Sequence, residues 1–105
     1  MYARQVSFHL KAVTSAFTNT MEKEVLPALR KQHGFQDEIT FVEPGGREAF
    51  AISLWDTKDS AEAYNKNGYP EMLKILAKVS DGTPQVRVFD VSNSTFHKIS
   101  ASVAA

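Results

Sequence analysis

The sequence has no cysteine, a single tryptophan and no long run of apolar residues. The absence of cysteine excludes disulfide bonds, thiolate metal ligands and cysteine nucleophiles. No segment approaches the roughly 18 apolar residues of a transmembrane helix, and residues 1–5 lack the basic and apolar stretches of a signal peptide. We therefore expect a soluble, cytoplasmic protein that does not act at a membrane.

Net charge is also absent, because 12 lysines and arginines balance 12 aspartates and glutamates. Such a chain has no long-range field to attract phosphate backbones, which argues against nucleic acid as a partner. The three histidines are widely spaced, so we predict no metal site. A length of 105 residues fits one domain, 1–105, in which the weakly patterned residues 93–105 are expected to form a loosely ordered tail.

Alternating apolar residues predict four strands, and turn residues mark their connections. The strands are expected at 2–11, 35–43, 47–55 and 85–92. The sequence Pro44-Gly45-Gly46 predicts a hairpin between the second and third strands.

Helical periodicity follows the first strand and the third. Pro27 is expected to interrupt the first helix, and Asn67-Gly68-Tyr69-Pro70 the second, before Asp81-Gly82-Thr83-Pro84 ends it. The order β-α-β-β-α-β predicts an α+β, ferredoxin-like fold in which two helices cover one face of a four-stranded antiparallel sheet.

The two faces of this sheet are expected to differ in polarity. We assign to the helix-covered face the residues Val6, Phe8, Leu10, Phe50, Ile52, Leu54, Val86 and Val88. The other face would then present Gln5, Ser7, His9, Ala49, Ala51, Ser53, Trp55, Arg87, Phe89 and Val91. Small residues at its centre argue against an RNA-binding sheet, and its mixed character predicts a homodimer closed through the sheets.

The order of elements, together with the segment FAISLWDTKDSAEAY at residues 50–64 and the later Tyr69-Pro70, resembles the dimeric α+β barrel superfamily. Within it the chain is similar to the antibiotic-biosynthesis-monooxygenase-like domains. The resemblance implies a homodimer with a ligand pocket between helices and sheet. It does not imply one reaction, because the superfamily includes cofactor-free oxygenases, haem-degrading enzymes and members without known activity.

The haem-degrading members use an asparagine, a tryptophan and a histidine that fall on Val6, Tyr64 and Lys74 of this sequence. None of the three matches, and no histidine lies between Gly34 and Phe96. We therefore predict a protein without a cofactor.

Four residues around the second helix are predicted to bind a substrate: Trp55, Tyr64, Asn65 and Tyr69. Aromatic rings stack on flat ligands, and hydroxyl and amide groups can hold an enolate or phenolate. Each residue also has a simpler structural interpretation, since Trp55 can be a packing residue and the others lie at a helix break.

His9 and Arg87 are the predicted catalytic pair, on the assumption that the first and fourth strands are neighbours. A cation beside a histidine favours the neutral imidazole, which can act as a general base toward a phenolic proton. A hydrogen bond at a subunit interface is the alternative role for His9. The helix-end residue His33 and the tail residue His97 carry weaker indications.

Two functions remain open at this point. The first is a cofactor-independent, monooxygenase-like enzyme acting on a small aromatic or polyketide-like molecule. The second is a non-catalytic homodimeric module that binds a small molecule or has a structural role. Large residues such as Phe8, Phe17 and Phe50 are expected to leave little volume between helices and sheet, which keeps the second function close behind the first.

Overall fold

Four strands form one antiparallel sheet in a computed structural model that describes residues 1–11 and 14–96. The strands are β1 (Tyr2–Leu10), β2 (Phe35–Val42), β3 (Glu48–Trp55) and β4 (Ser80–Asp90), in the spatial order β2-β3-β1-β4. This arrangement confirms the predicted ferredoxin-like sheet. His97 and most of the predicted tail lie outside the described residues, and residues 93–96 form neither helix nor strand.

The helical segments pack on one side of the sheet and break where the prolines predict. The first is composed of α1 (Thr14–Thr20), a π-helical turn (Met21–Val25) and α2 (Leu26–Arg30), with Pro27 in the first turn of α2. The second is composed of α3 (Lys58–Asn67) and α4 (Tyr69–Leu76). Proline cannot donate to the preceding turn, so each helix restarts at a position where that donor is not needed.

The predicted end of the second helix at residues 81–84 is wrong in one respect, because these residues already belong to β4. The β1–β4 register shifts between Ser7 and His9, and Gly82 has a φ of 67°. β4 is an edge strand, and a proline such as Pro84 is tolerated there because one side of an edge strand has no neighbouring strand to pair with. The turn-like sequence therefore forms an irregular start of the strand.

The assignment of the two faces is correct for β1 and β4 but wrong for β3. Val6 lies opposite Ala51 and Phe8 opposite Ala49, and residues directly opposite each other share one face. The helices therefore cover Ala49, Ala51, Ser53 and Trp55, whereas Phe50, Ile52 and Leu54 point to the other side. Small side chains on β3 leave room for the large residues of the helices.

The main core lies between the helices and the side of the sheet that they cover. Phe17 packs on Phe8 with ring centroids 5.4 Å apart, and Trp55 is fully buried. The other buried members are Val6, Leu10, Met21, Val25, Leu29, Ala49, Ala51, Ala61, Tyr64, Tyr69, Met72 and Leu76. Within the described part of the chain, no helix has the length and apolar character needed to cross a membrane.

The side of the sheet away from the helices, here called the open face, is strongly apolar. Phe41 stacks on Phe50 with centroids 4.8 Å apart, and both rings are exposed. The remaining large apolar residues of this face are Ile39, Ile52, Leu54, Phe89 and Val91. The expected centre of small residues, which argued against an RNA-binding sheet, is therefore not present.

Gly34 joins the first helical segment to β2 at a position where only glycine fits. Its φ is +79°, in the left-handed region, and its carbonyl accepts a hydrogen bond from the Asp56 amide. A Cβ at Gly34 would overlap the side chains of Asp56 and Ser60. Both conformation and space therefore require glycine.

We expect Gly34→Ala to destabilise the protein more than Gly45→Ala, measured as the free energy of unfolding in urea. Gly45 has a φ of +71°, but nothing lies within 4 Å of the position that a Cβ would take, so alanine there costs only the left-handed strain of about 1–2 kcal/mol. The additional overlap at Gly34 should cost at least about 1 kcal/mol more. Equal losses in the two variants would contradict this account.

Candidate functional site

The centre of the site is Arg4, an arginine on β1 that points toward the helices. Strand alternation places it on the same side as Val6 and Phe8, and only 2% of its surface is exposed. Its Nη2 donates a hydrogen bond of 2.8 Å to Oδ1 of Asn65. A buried guanidinium whose hydrogen-bonding neighbours are neutral is a poorly compensated charge, which is unusual in a domain of this size.

Two tyrosines from the second helical segment enclose Arg4. Its guanidinium carbon lies 4.9 Å from the ring centre of Tyr64 and 4.4 Å from that of Tyr69. Aromatic faces attract cations at this distance, more strongly where water is excluded. The break between α3 and α4 allows both tyrosines to reach the same charge.

An aromatic stack supports the tyrosines from below. Trp55 stacks on Tyr64 with ring centres 4.8 Å apart, and Phe35 meets Trp55 edge-on at 5.6 Å. The indole Nε1 of Trp55 donates to Oγ of Ser53 at 2.9 Å. Since both ends of the indole are fixed, the position of Tyr64 is fixed as well.

Two further polar groups lie near the arginine. The hydroxyl of Tyr69 is buried and has no hydrogen-bond partner among the described residues. Glu38 of β2 lies on the same rung of the sheet, because Ser53 is opposite both Arg4 and Glu38. The Thr40 hydroxyl donates to Oε2 of Glu38 at 2.6 Å.

Burial changes the acidity of these groups. It lowers the pKa of Arg4, an effect that the neighbouring Tyr64 and Tyr69 oppose. Burial raises the pKa of both tyrosines, and Arg4 opposes that rise. Burial also raises the pKa of Glu38, against the hydrogen bond from Thr40. At neutral pH the tyrosines are therefore neutral hydrogen-bond donors beside a charged arginine.

A small cavity of about 30 Å³ lies between these groups and the helices. A water molecule needs roughly 10–15 Å³ of such space, so the cavity has room for about two. Its walls are formed by Arg4, Val6, Phe8, Met21, Val25, Leu29, Glu38, Ala51, Ser53, Tyr64, Tyr69, Met72 and Leu76. Chemically, Arg4 and the Tyr69 hydroxyl can donate hydrogen bonds to a negatively charged oxygen in this cavity.

The structure brings the four predicted substrate-binding residues together. Tyr64 and Tyr69 line the cavity, Asn65 binds Arg4 at its edge, and Trp55 lies behind Tyr64. Their role in binding a substrate stays a prediction.

The predicted proximity of His9 and Arg87 is wrong. Arg87 lies opposite Gln5, which is four residues from His9 along β1. Two residues on neighbouring strands can therefore be far apart along the strand direction. Nδ1 of His9 is 2.7 Å from Oε1 of Glu48, and Arg87 lies 5.1 Å from the ring centre of Phe89. Both residues are on the open face, away from the cavity, and their catalytic role stays a prediction.

Sequence reasoning missed Arg4 and Glu38. The same alternation that identified Val6 and Phe8 as core residues also places Arg4 beneath the helices, and this signal was present in the sequence. Glu38 gave no comparable signal, because its facing depends on the β2–β3 register, which shifts between Phe35 and Asp37.

Comparison with known proteins identifies the fold. No family model matches the sequence, and neither does any curated protein. Solved structures do match, among them the cofactor-independent oxygenase SnoaB from Streptomyces nogalater, with a TM-score of 0.72 and 17% identity over 90% of this chain and 95% of that one.

Two more neighbours show how widely this fold is used. A monooxygenase from the gene ActVA-Orf6 of Streptomyces coelicolor, solved in complex with nanaomycin D, matches with a TM-score of 0.75 and 12% identity over 90% of each chain. A protein of unknown function from Nitrosomonas europaea matches with a TM-score of 0.73 and 12% identity, over 90% of this chain and 92% of that one. The chain thus has the fold of the antibiotic biosynthesis monooxygenases.

We expect Glu38→Gln to raise stability at pH 7 and to lose this advantage toward pH 4. Burial makes the pKa of Glu38 higher in the folded than in the unfolded protein. Glu38 therefore favours folding at a pH below its pKa in the unfolded chain, and this contribution is lost as the pH rises through its pKa in the folded protein. Urea midpoints at the two pH values measure the difference. The exposed Glu22→Gln is the matched control, and an identical pH dependence in both variants would contradict the prediction.

Proposed function

We propose that this protein is a cofactor-independent oxygenase acting on a small aromatic or polyketide-like molecule with an acidic hydroxyl group. The observation that carries the proposal is the buried, poorly compensated Arg4 with the unpartnered hydroxyl of Tyr69, both lining one cavity. The neighbours SnoaB and the ActVA-Orf6 protein, named as oxygenases, support it through the shared fold.

The chemistry needs no external reductant, because the substrate supplies the electrons. A substrate with an acidic CH₂ group beside an aromatic ring loses a proton to the solvent and becomes an electron-rich anion, which O₂ can oxidise. The proton is returned in the water molecule that forms. The balanced reaction is R₂CH₂ + O₂ → R₂C=O + H₂O, in which one oxygen atom enters the product and the other leaves in water. Arg4 and Tyr69 would stabilise the anion, as preorganised donors do in water-excluded sites.

The second function, a non-catalytic small-molecule-binding or structural module, is favoured by the cavity itself. About 30 Å³ is far below the roughly 300 Å³ at which ligand pockets begin, so this cavity alone does not accommodate an aromatic molecule. The same experiment decides between the two functions.

Oxygen uptake with 1,8-dihydroxyanthrone, in buffer containing a chelator and no flavin, tests the proposal. We expect one O₂ consumed per anthraquinone formed, faster than the uncatalysed oxidation. Tyr69→Phe should reduce kcat at least tenfold and Arg4→Met about a hundredfold, because each removes a donor to the anion. The exposed Arg47→Met is the matched control.

A rate no faster than the blank with this and related phenols would favour the non-catalytic module. The same assay tests the predicted catalytic pair, since loss of turnover in His9→Ala or Arg87→Met, with the fold retained, would support a role that the cavity geometry does not require.

The open face supports a homodimer as the functional unit. Of the strand residues that the structure places on it, Arg87 is the one lysine or arginine, whereas Asp37 and Glu48 are acidic. A face with several exposed aromatic rings and a single arginine fits a second copy of the sheet better than a nucleic acid. Phe41, 41% exposed, and Phe50 would lie at the centre of such an interface.

We expect Phe50→Glu to convert the dimer into a monomer, as measured by native mass spectrometry at micromolar concentration. A buried, unpaired carboxylate at the centre of the interface would oppose association. Val42→Glu is the matched control, because Val42 is equally exposed, at 37%, but lies on the helix side of the sheet. A monomeric natural protein, or a dimeric Phe50→Glu variant, would contradict the dimer proposal.

A further inference from the structure

A groove runs along the helix side of β4 and shares the lining residue Arg4 with the cavity. Its volume is about 250 Å³. The walls of this β4 groove are formed by Tyr2, Arg4, Ala61, Glu62, Asn65, Val86 and Val88. Its volume approaches the lower limit of small-molecule pockets, whereas the cavity of about 30 Å³ is much smaller.

The groove exists because the helices leave the edge strand uncovered. Val86 lies opposite Val6 and Val88 opposite Arg4, so both valines face the helix side. Val88 is nevertheless 51% exposed, although its partner Arg4 is almost completely buried. The result is an apolar floor open to solvent, with the side chain of Arg4 contributing to the wall.

The charge of Arg4 has no anionic partner in the described part of the chain. None of the ion pairs there involves Arg4, and its hydrogen-bonding neighbours, Asn65 and Tyr64, are neutral. Glu62 is the one carboxylate among the groove residues, but it is 62% exposed and pairs with Lys58 at 3.8 Å. A guanidinium has five donors, so it can bind an anion while it keeps Asn65.

We infer that the β4 groove binds a small, flat, apolar molecule bearing a single anionic group, which Arg4 receives from the wall of the groove. The inference deepens the proposed function and rests on it for the identity of the site, since it names the class of ligand and the direction from which it enters. Binding itself does not require turnover, so the binding inference and the proposed oxygenase function can fail separately.

Calorimetric titration with 2-naphthoate tests the inference, with neutral 2-naphthamide as the matched ligand. The two molecules have the same ring system and differ in charge. We expect 2-naphthoate to bind at least tenfold more tightly, because a hydrogen bond to a charged group is worth a factor of this order. Trp55, the single tryptophan, reports binding independently through its fluorescence, because it stacks on Tyr64 beside Arg4.

Two sets of variants locate the charge. Arg4→Met should weaken 2-naphthoate binding about tenfold or more and leave 2-naphthamide unchanged. Val88→Glu places a carboxylate beside Arg4 and should weaken 2-naphthoate equally, whereas the neutral Val88→Gln should not. Val88 is exposed, so this second pair keeps the test decisive if Arg4→Met does not fold.

Equal affinity for the two ligands, no binding of either, or equal effects of Val88→Glu and Val88→Gln would overturn the inference. Oxygen uptake without naphthoate binding would leave the proposed oxygenase function standing and remove the anion site. Binding with the expected charge dependence but without oxygen uptake would do the reverse.

Discussion

The register of β3 against β1 is the constraint on which the rest of the molecule depends. Because Val6 is opposite Ala51 and Arg4 opposite Ser53, small side chains lie beneath the helices along β3. This leaves the space in which Tyr64 and Tyr69 reach Arg4. A shift by one residue would turn Phe50 inward, Trp55 outward, and remove both the site and the apolar open face.

Arg4 is better explained by function than by stability. Transfer of a charge out of water costs several kcal/mol, and replacing buried ions by apolar residues is often neutral or stabilising. Two aromatic faces and one amide reduce this cost without neutralising the charge. Such a cation, which forms no ion pair in the described part of the chain and lies in one cavity with an unpartnered tyrosine hydroxyl, is suited to bind an anionic ligand.

Much of the fold and part of the site could be predicted from the sequence, for physical reasons that differ between residues. Alternation, the hairpin turn and the proline breaks are local properties, so strand order and helix restarts followed from them. Which side of β3 faces the helices is not a local property, because it depends on the register with β1. Ala49, Ala51 and Ser53 alternate with Phe50 and Ile52, and the expectation that large residues form the core assigned the wrong set to the helix side. The clustering of Tyr64, Asn65 and Tyr69 could be predicted because they surround a helix break. The proximity of His9 and Arg87 could not be predicted from the adjacency of their strands, because it depends on the strand register.

The groove along β4 resolves a conflict between stability and binding in a domain this small. A ligand enclosed beneath the helices would have to displace core residues such as Phe17 or Met72, and each large cavity in a core costs several kcal/mol. A ligand lying on Val86 and Val88 reaches Arg4 from outside and leaves that core intact. The edge strand can therefore provide the binding surface, and the buried arginine can provide the selectivity for an anion. The open face remains free for a second subunit.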